Sequence, residues 1–209
     1  MMFGFVPAPT MVTPDDALRG RDQPVLPNPS PHTVLGTPIM DTTHPTVTVG
    51  LGCFWGAEKM LWLLDGIFTT AVGYAGGYTK NPTYQEVCSG RTGHAEVVRV
   101  AYEPQTIALE TILKRVLEAH DPTQGYRQGN DVGTQYRSVI FTETEDEADL
   151  ARSLVHQFGE KLQAAGYPPI TTQVRSHVPF YLAEDYHQQY LDKNPGGYCP
   201  VHATGITCG

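Results

Sequence analysis

Polar and apolar residues alternate through Thr46-Val47-Thr48-Val49-Gly50-Leu51, the two-residue period of a strand. After Gly52-Cys53 the period changes. Residues 54–64 space their apolar side chains as a helix does, and Asp65-Gly66 closes that run. Ile67–Tyr74 reads as a second strand, followed by a turn at Ala75-Gly76-Gly77. Asn81-Pro82 predicts a short helix through Val87, with proline in its first turn. His94–Tyr102 alternates and is rich in valine, so a third strand is expected. Residues 106–119 carry Ile112, Leu113, Val116 and Leu117 at helical spacing. A long polar, glycine-studded stretch then spans 120–134, and a loop of that length inside a domain is usually functional or disordered. Gln135–Thr142 predicts a strand. Thr144 and Glu147 form a capping box ahead of a helix to about Ala165. A strand at 171–177 and a helix at 183–191 complete the pattern.

The expected order is β-α-β-α-β-α-β-α-β-α. It fits a two-layer α+β sandwich whose central mixed sheet is of the split β-α-β, ferredoxin-like type, with a long coiled C-terminal tail. A doubly wound sheet is the alternative, but no glycine-rich phosphate loop follows the first strand. Residues 1–45 differ from the rest, holding nine of the 17 prolines. They are read as an extended N-terminal arm, laid over the domain or mobile, ahead of a catalytic domain at 46–193 and a glycine-containing tail at 194–209.

Composition narrows the function. The 209 residues suffice for one well-buried core. A net charge of −8 disfavours a nucleic-acid binder. No apolar run approaches the ~18 residues of a membrane span, and the first residues lack the basic start of a signal peptide. A cytoplasmic monomer is expected, in a compartment where thiols stay reduced. The four cysteines, Cys53, Cys88, Cys199 and Cys208, are then catalytic, metal-binding or inert rather than a structural framework.

Cys53 lies where a strand ends and a helix begins, in Gly52-Cys53-Phe54-Trp55-Gly56. Free backbone N–H groups at a helix N-terminus favour a thiolate, so Cys53 is either a nucleophile or a small core residue. Cys199 and Cys208 lie near the end of the chain among glycines. One reactive thiol and two on a movable tail suggest a relay of condensation and exchange. Cys199-x2-His202-x5-Cys208 offers a zinc site as an alternative, although its spacing matches no familiar motif. Pairing of His94 with Cys53 would instead suggest a cysteine hydrolase. Glu96 shares a strand face with Val98, Val100 and Tyr102, where burial would raise its pKa and suit it to donate a proton. Tyr84 and Tyr136 are two of eleven tyrosines, most of which must pack.

Together these segments resemble the A-type peptide methionine sulfoxide reductases. Gly52-Cys53-Phe54-Trp55-Gly56 looks like that family's active-site signature. The likeness continues through Gly73–Gly77, Asn81-Pro82-Thr83-Tyr84, Thr92–Glu96, His120-Asp121-Pro122, Gly129–Ser138, Ala183–Leu191 and the tail from Asn194. The resemblance implies reduction of the S epimer of methionine sulfoxide, free or in oxidised proteins under oxidative stress. Cys53 would attack sulfur, Glu96 would protonate oxygen, and Tyr84 and Tyr136 would hydrogen-bond to it. Phe54 and Trp55 would enclose the S-methyl group, and Asp131 would help bind the substrate. Cys199 would condense with oxidised Cys53. Cys208 would then exchange with that disulfide, leaving a Cys199–Cys208 pair for thioredoxin to reduce. Cys88 has no catalytic role in this correspondence. The resemblance implies no bound cofactor, only thioredoxin or another thiol as external reductant.

Overall fold

The computed structural model describes residues 8–198 and 202–209. Six strands form one mixed sheet. They are β1 (Thr46–Gly50), β2 (Ile67–Ala75), β3 (Ala95–Tyr102), β6 (Val139–Thr142), β7 (Gln173–Ser176) and β8 (Phe180–Leu182), in spatial order β7-β6-β1-β3-β2-β8. A two-strand ribbon, β4 (Arg127–Gln128) with β5 (Asp131–Val132), stands apart in the long loop. Within this six-strand sheet of the described residues only the β6–β7 pair is parallel; β3 pairs antiparallel with both β1 and β2.

The helices are α1 (Phe54–Trp62), α2 (Tyr84–Cys88), α3 (Leu109–Glu118), α4 (Glu145–Ala164) and α5 (Tyr190–Lys193). The main core joins Val47 and Val49 of β1, Val98 and Val100 of β3 and Ile140 of β6. Against them pack Leu61, Ile112, Leu113 and Phe158 from the helices. On the opposite face Ala75, Ala95, Val97, Val139 and Phe141 form a smaller cluster covered by Val178 and Phe180. β1 is therefore buried on both faces, although its sequence alternates. The capping box at Thr144 and Glu147 starts α4 as expected. α2 begins later than expected. Pro82 lies outside it, and Thr83 is the N-cap in a second capping box with Glu86.

Two expected elements are replaced. The strand expected from Gln135 begins at Val139, because residues 134–136 form a 3-10 turn. Buried Arg137 holds that turn, donating to the carbonyls of Thr134 at 2.8 Å and Gly93 at 3.0 Å. The helix expected over 183–191 is broken into a 3-10 turn at Asp185–His187 and α5, with Gln189 between them at φ +46. Tertiary hydrogen bonds outweigh helical spacing here. Gln188 brackets Val72 by donating to its carbonyl and accepting from its N–H, each at 2.9 Å. Gln189 donates its backbone N–H and its side-chain amide to Glu58 at 2.9 and 2.8 Å.

Glu58 is buried in α1 and also accepts from the Thr70 hydroxyl, which in turn receives His32 Nε2–H from the arm at 2.9 Å. Burial pushes the Glu58 carboxyl up to about 7 despite these donors. The fold therefore holds its proton more tightly than the unfolded chain does. The resulting stabilisation is complete below the ordinary pKa of 4.5 and is lost as pH rises through about 7. Glu58→Gln should flatten the decline of unfolding free energy between pH 5 and 8, by on the order of 3 kcal/mol across that range. Denaturant titrations at several pH values read this directly, and an unchanged slope would refute it.

Candidate active site

The chain enters α1 through Gly52 at φ +102, where a Cβ would also press on the Gln128 side chain at 2.9 Å. Cys53 follows as the N-cap residue. The first amide of the helix, Phe54 N–H, donates to Glu96 Oε2 at 3.1 Å, while those of Trp55 and Gly56 favour a charged Cys53 sulfur. One helix end thus serves both the thiol and the carboxyl group. A cavity of about 160 Å³ opens there. Cys53, Phe54, Trp55 and Glu96 line one part of it, and Tyr84, Asp131 and Tyr136 another. Seven residues singled out in the sequence, scattered from 53 to 136, therefore meet at one place.

Burial is the largest influence on their protonation. It raises Glu96, with a further push from Asp131 and a counteracting pull from the Phe54 amide, to about 8. The carboxyl is protonated at neutral pH. Burial also raises Cys53, and the charge on Glu96 adds to it; the Trp55 and Gly56 amides offset only part. The helix N-terminus was expected to favour the thiolate and lower the Cys53 pKa; the direction is the opposite, because at this helix end desolvation outweighs the dipole. Tyr84 and Tyr136 are likewise raised, first by burial and then by Glu96, so both hydroxyls keep their protons. Asp131 is raised by burial, and among the described residues its Oδ2 has no hydrogen-bond partner.

Residues given no role from sequence hold these in place. Glu184 accepts the Tyr84 backbone N–H at 2.9 Å and the Tyr74 hydroxyl at 3.0 Å. His187 accepts the Trp55 indole N–H at Nδ1, 3.0 Å away, and lies against Phe54 and Tyr84 with ring centroids 5.1 and 4.5 Å apart. Burial holds its pKa down to about 4, so it remains a neutral acceptor. Trp55 stacks on Tyr190 at 3.9 Å, and half-exposed Tyr198 completes the cavity wall. The signal available was the dense run Glu184-Asp185-Tyr186-His187, which helical periodicity does not interpret.

Other candidates lie elsewhere. His94 accepts from Gly77 N–H at Nδ1 and engages the Thr79 carbonyl at Nε2, 2.7 Å away. Both nitrogens are occupied, leaving it no part as a base for Cys53. Cys208 does not line the cavity. Its sulfur lies 3.8 Å from the Lys114 carbonyl on α3, its N–H donates to Glu118 at 2.7 Å, and its carbonyl accepts from Lys161. Burial raises its thiol to about 11. Cys199 lies outside the described residues. Cys53, Cys88 and Cys208 are free thiols. His202 packs so closely on Gly129, at φ +59, that a Cβ there would meet its ring at 2.1 Å. Among the described residues no three His, Cys, Asp or Glu side chains cluster as metal ligands, and no helix is long and apolar enough to cross a membrane.

The family model for peptide methionine sulfoxide reductase matches residues 45–207. The chain is 61% identical to peptide methionine sulfoxide reductase MsrA of Corynebacterium kroppenstedtii, covering 99% of this chain and 98% of that one. It is 60% identical to the protein of the same name from Corynebacterium efficiens, over 100% and 99%. Methionine sulfoxide reductase A of Corynebacterium diphtheriae superposes with a TM-score of 0.89 at 51% identity, covering 96% of this chain and 99% of that one. The reduced form of Mxr1 from Saccharomyces cerevisiae gives 0.69 at 39% identity, over 78% and 93%. A partly buried thiol beside a protonated carboxyl, two tyrosine hydroxyls and an aromatic wall suit reduction of a sulfoxide. By sequence and by structure, the chain belongs to the A-type peptide methionine sulfoxide reductases.

Proposed function

We propose that the protein reduces the S epimer of methionine sulfoxide, in proteins or free, by attack of Cys53 on sulfur. One observation carries this reading: the Cys53 thiol, the protonated Glu96 and the Tyr84 and Tyr136 hydroxyls share a cavity walled by Phe54 and Trp55. Glu96 gives its proton to the sulfoxide oxygen, with the two tyrosines as further donors. The Cys53 sulfur, giving its proton to Glu96, bonds to the sulfur of the protonated sulfoxide. The hydroxyl then passes from that sulfur to the Cys53 sulfur. The substrate S–O bond and the transient S–S bond break as the new S–O bond forms. The substrate sulfur keeps the electron pair and leaves as methionine, and Cys53 is left as sulfenic acid. Phe54 and Trp55 enclose the S-methyl group, and Asp131 helps to hold the substrate. The other epimer would turn its oxygen toward the aromatic wall, where nothing donates to it.

Regeneration then runs through the tail. Cys199 condenses with the sulfenic acid and releases water, forming a Cys53–Cys199 disulfide. Cys208 attacks Cys199 and frees Cys53, after which thioredoxin or another dithiol reduces the Cys199–Cys208 pair. Cys208 must leave its seat on α3 for this. Gly196, Gly197 and Gly205 supply the backbone freedom. In this reading residues 1–45 are an arm, 46–193 the catalytic domain and 194–209 the relay tail. The strand order β6-β1-β3-β2, with β3 between β1 and β2, supports reading the core as a split β-α-β arrangement of ferredoxin-like type.

The disulfide map after one turnover tests the relay. Reduced protein given one equivalent of peptide methionine S-sulfoxide should lose two thiols and yield a Cys199–Cys208 linkage by mass spectrometry. A map with Cys208 still free would sink the third step, and no thiol loss would sink the whole reading.

A further inference from the structure

A groove of about 580 Å³ lies beside the catalytic cavity. Pro9 and Val12 of the N-terminal arm form part of its wall, Val132 and Gln135 of the long loop another part, and Arg91 after α2 a third. We propose that this groove receives the polypeptide chain flanking the oxidised methionine, so that the arm is part of the peptide-binding surface. The inference rests on the reading that the Cys53 cavity takes the methionine sulfoxide side chain.

Size and continuity carry it. A cavity of about 160 Å³ holds a side chain but not the backbone that bears it, so the backbone must lie outside. The groove continues directly from the cavity walls. Asp131 and Tyr136 line the cavity, and the residues between them, Val132–Gln135, line the groove. Tyr84 faces the cavity and Cys88 the groove, one turn apart on α2. The lining chemistry is that of a peptide site. Pro9, Val12 and half-exposed Val132 suit apolar side chains, while Gln135 and Arg91 suit polar groups.

The arm is docked where this role needs it. Leu18 N–H donates to the Arg91 carbonyl at 2.9 Å, and the Thr79 hydroxyl donates to the Leu18 carbonyl at 2.7 Å. Arg21 makes a two-pronged contact with Glu86 at 2.9 and 2.8 Å. Glu86 is on α2, the helix that presents Tyr84, so the same helix carries the catalytic tyrosine and the anchor of the groove wall. The family model begins at residue 45, and the alignments with the C. kroppenstedtii and C. efficiens proteins cover 99 and 100% of the chain. Peptide selection by the arm would therefore belong to this branch of the family rather than to its common core.

The test compares the full chain with a form lacking residues 1–17, which keeps the Leu18 and Arg21 anchors. The substrates are N-acetylmethionine sulfoxide and a nine-residue peptide with central methionine S-sulfoxide flanked by valine and leucine, with dithiothreitol as reductant. The deletion should lower kcat/KM for the peptide about tenfold through KM and leave the small substrate unchanged. Val12→Asp in the full chain should lower the peptide value about threefold, and guards against misfolding of the shortened form. Equal loss on both substrates, or no loss on the peptide, would overturn the proposal. So would a loss seen only when thioredoxin replaces dithiothreitol, which would give the groove to the reductant. If the full chain reduces neither substrate, the reading of the Cys53 cavity itself fails, and the groove proposal with it.

Discussion

Cys53→Ser protein is expected to release no measurable methionine from either a peptide or a small sulfoxide, a fall of at least about 10⁴-fold in rate. Serine fits the N-cap position and can accept from the same helix amides, so folding should survive. The chemistry should not. An alkoxide is far harder to form than a thiolate, and oxygen is a poor nucleophile toward sulfur. A serine at this position has no equivalent of the sulfenic acid that Cys199 would condense with. Methionine release followed by chromatography, with thermal unfolding as a fold control, decides the matter. Activity above about a hundredth of the native rate, in a folded serine protein, would move the attack to another thiol. Cys88 is the natural comparison, since it lies one turn from Tyr84 yet faces the groove. Cys88→Ser should retain its rate on the small substrate.

The difference between the two cysteines also explains what the sequence could and could not disclose. The change of period at Gly52-Cys53 marked a strand-to-helix junction, and α1 does begin with Phe54. Alternation on β3 placed Glu96 on the same face as Val98 and Val100, and those valines belong to the main core. These features are local, and local spacing encodes them. Protonation was legible only in part: the β3 face anticipated the raised Glu96 pKa, whereas that of Cys53 depends on surroundings assembled from distant segments. The helix end alone suggested a lowered Cys53 pKa; burial reverses that direction, and Glu96, 43 residues away in the chain, adds to it once charged. The break at Gln189 was hidden for a similar reason, since its cause is the carboxyl of Glu58. Likewise Glu184 and His187 act by touching Tyr84 and Trp55, about 100 and 132 residues earlier. Spacing within 183–191 carries no trace of such contacts. Family resemblance reached these segments but assigned them no work.

Glu96→Gln should lower kcat by about 10²- to 10³-fold at pH 7. The amide keeps an oxygen for the Phe54 N–H but has no proton acidic enough to pass to the sulfoxide. The pH dependence separates this role from simple packing. Glu96 titrates at about 8 in the fold against an ordinary 4.5, so the proton required for catalysis is present below about 8. Native kcat should hold from neutral pH and fall as pH rises through that value, toward the point where Cys53 and Glu96 would both favour charge and each would oppose the other. The glutamine protein should lack this fall. Stability should move in the same window. The folded state binds the Glu96 proton more tightly than the unfolded chain, so the stabilisation is complete below 4.5 and is lost as pH rises through about 8. Replacing the carboxyl by an amide removes that loss, so the variant should gain stability relative to the native protein as pH increases from 5 to 9 while remaining catalytically impaired. Stopped-flow or discontinuous rates across that range, paired with denaturant unfolding at the same pH values, give both readings. A glutamine variant with the native pH profile, whatever its absolute rate, would remove Glu96 as the proton donor and leave Tyr84 or Tyr136 to supply the proton.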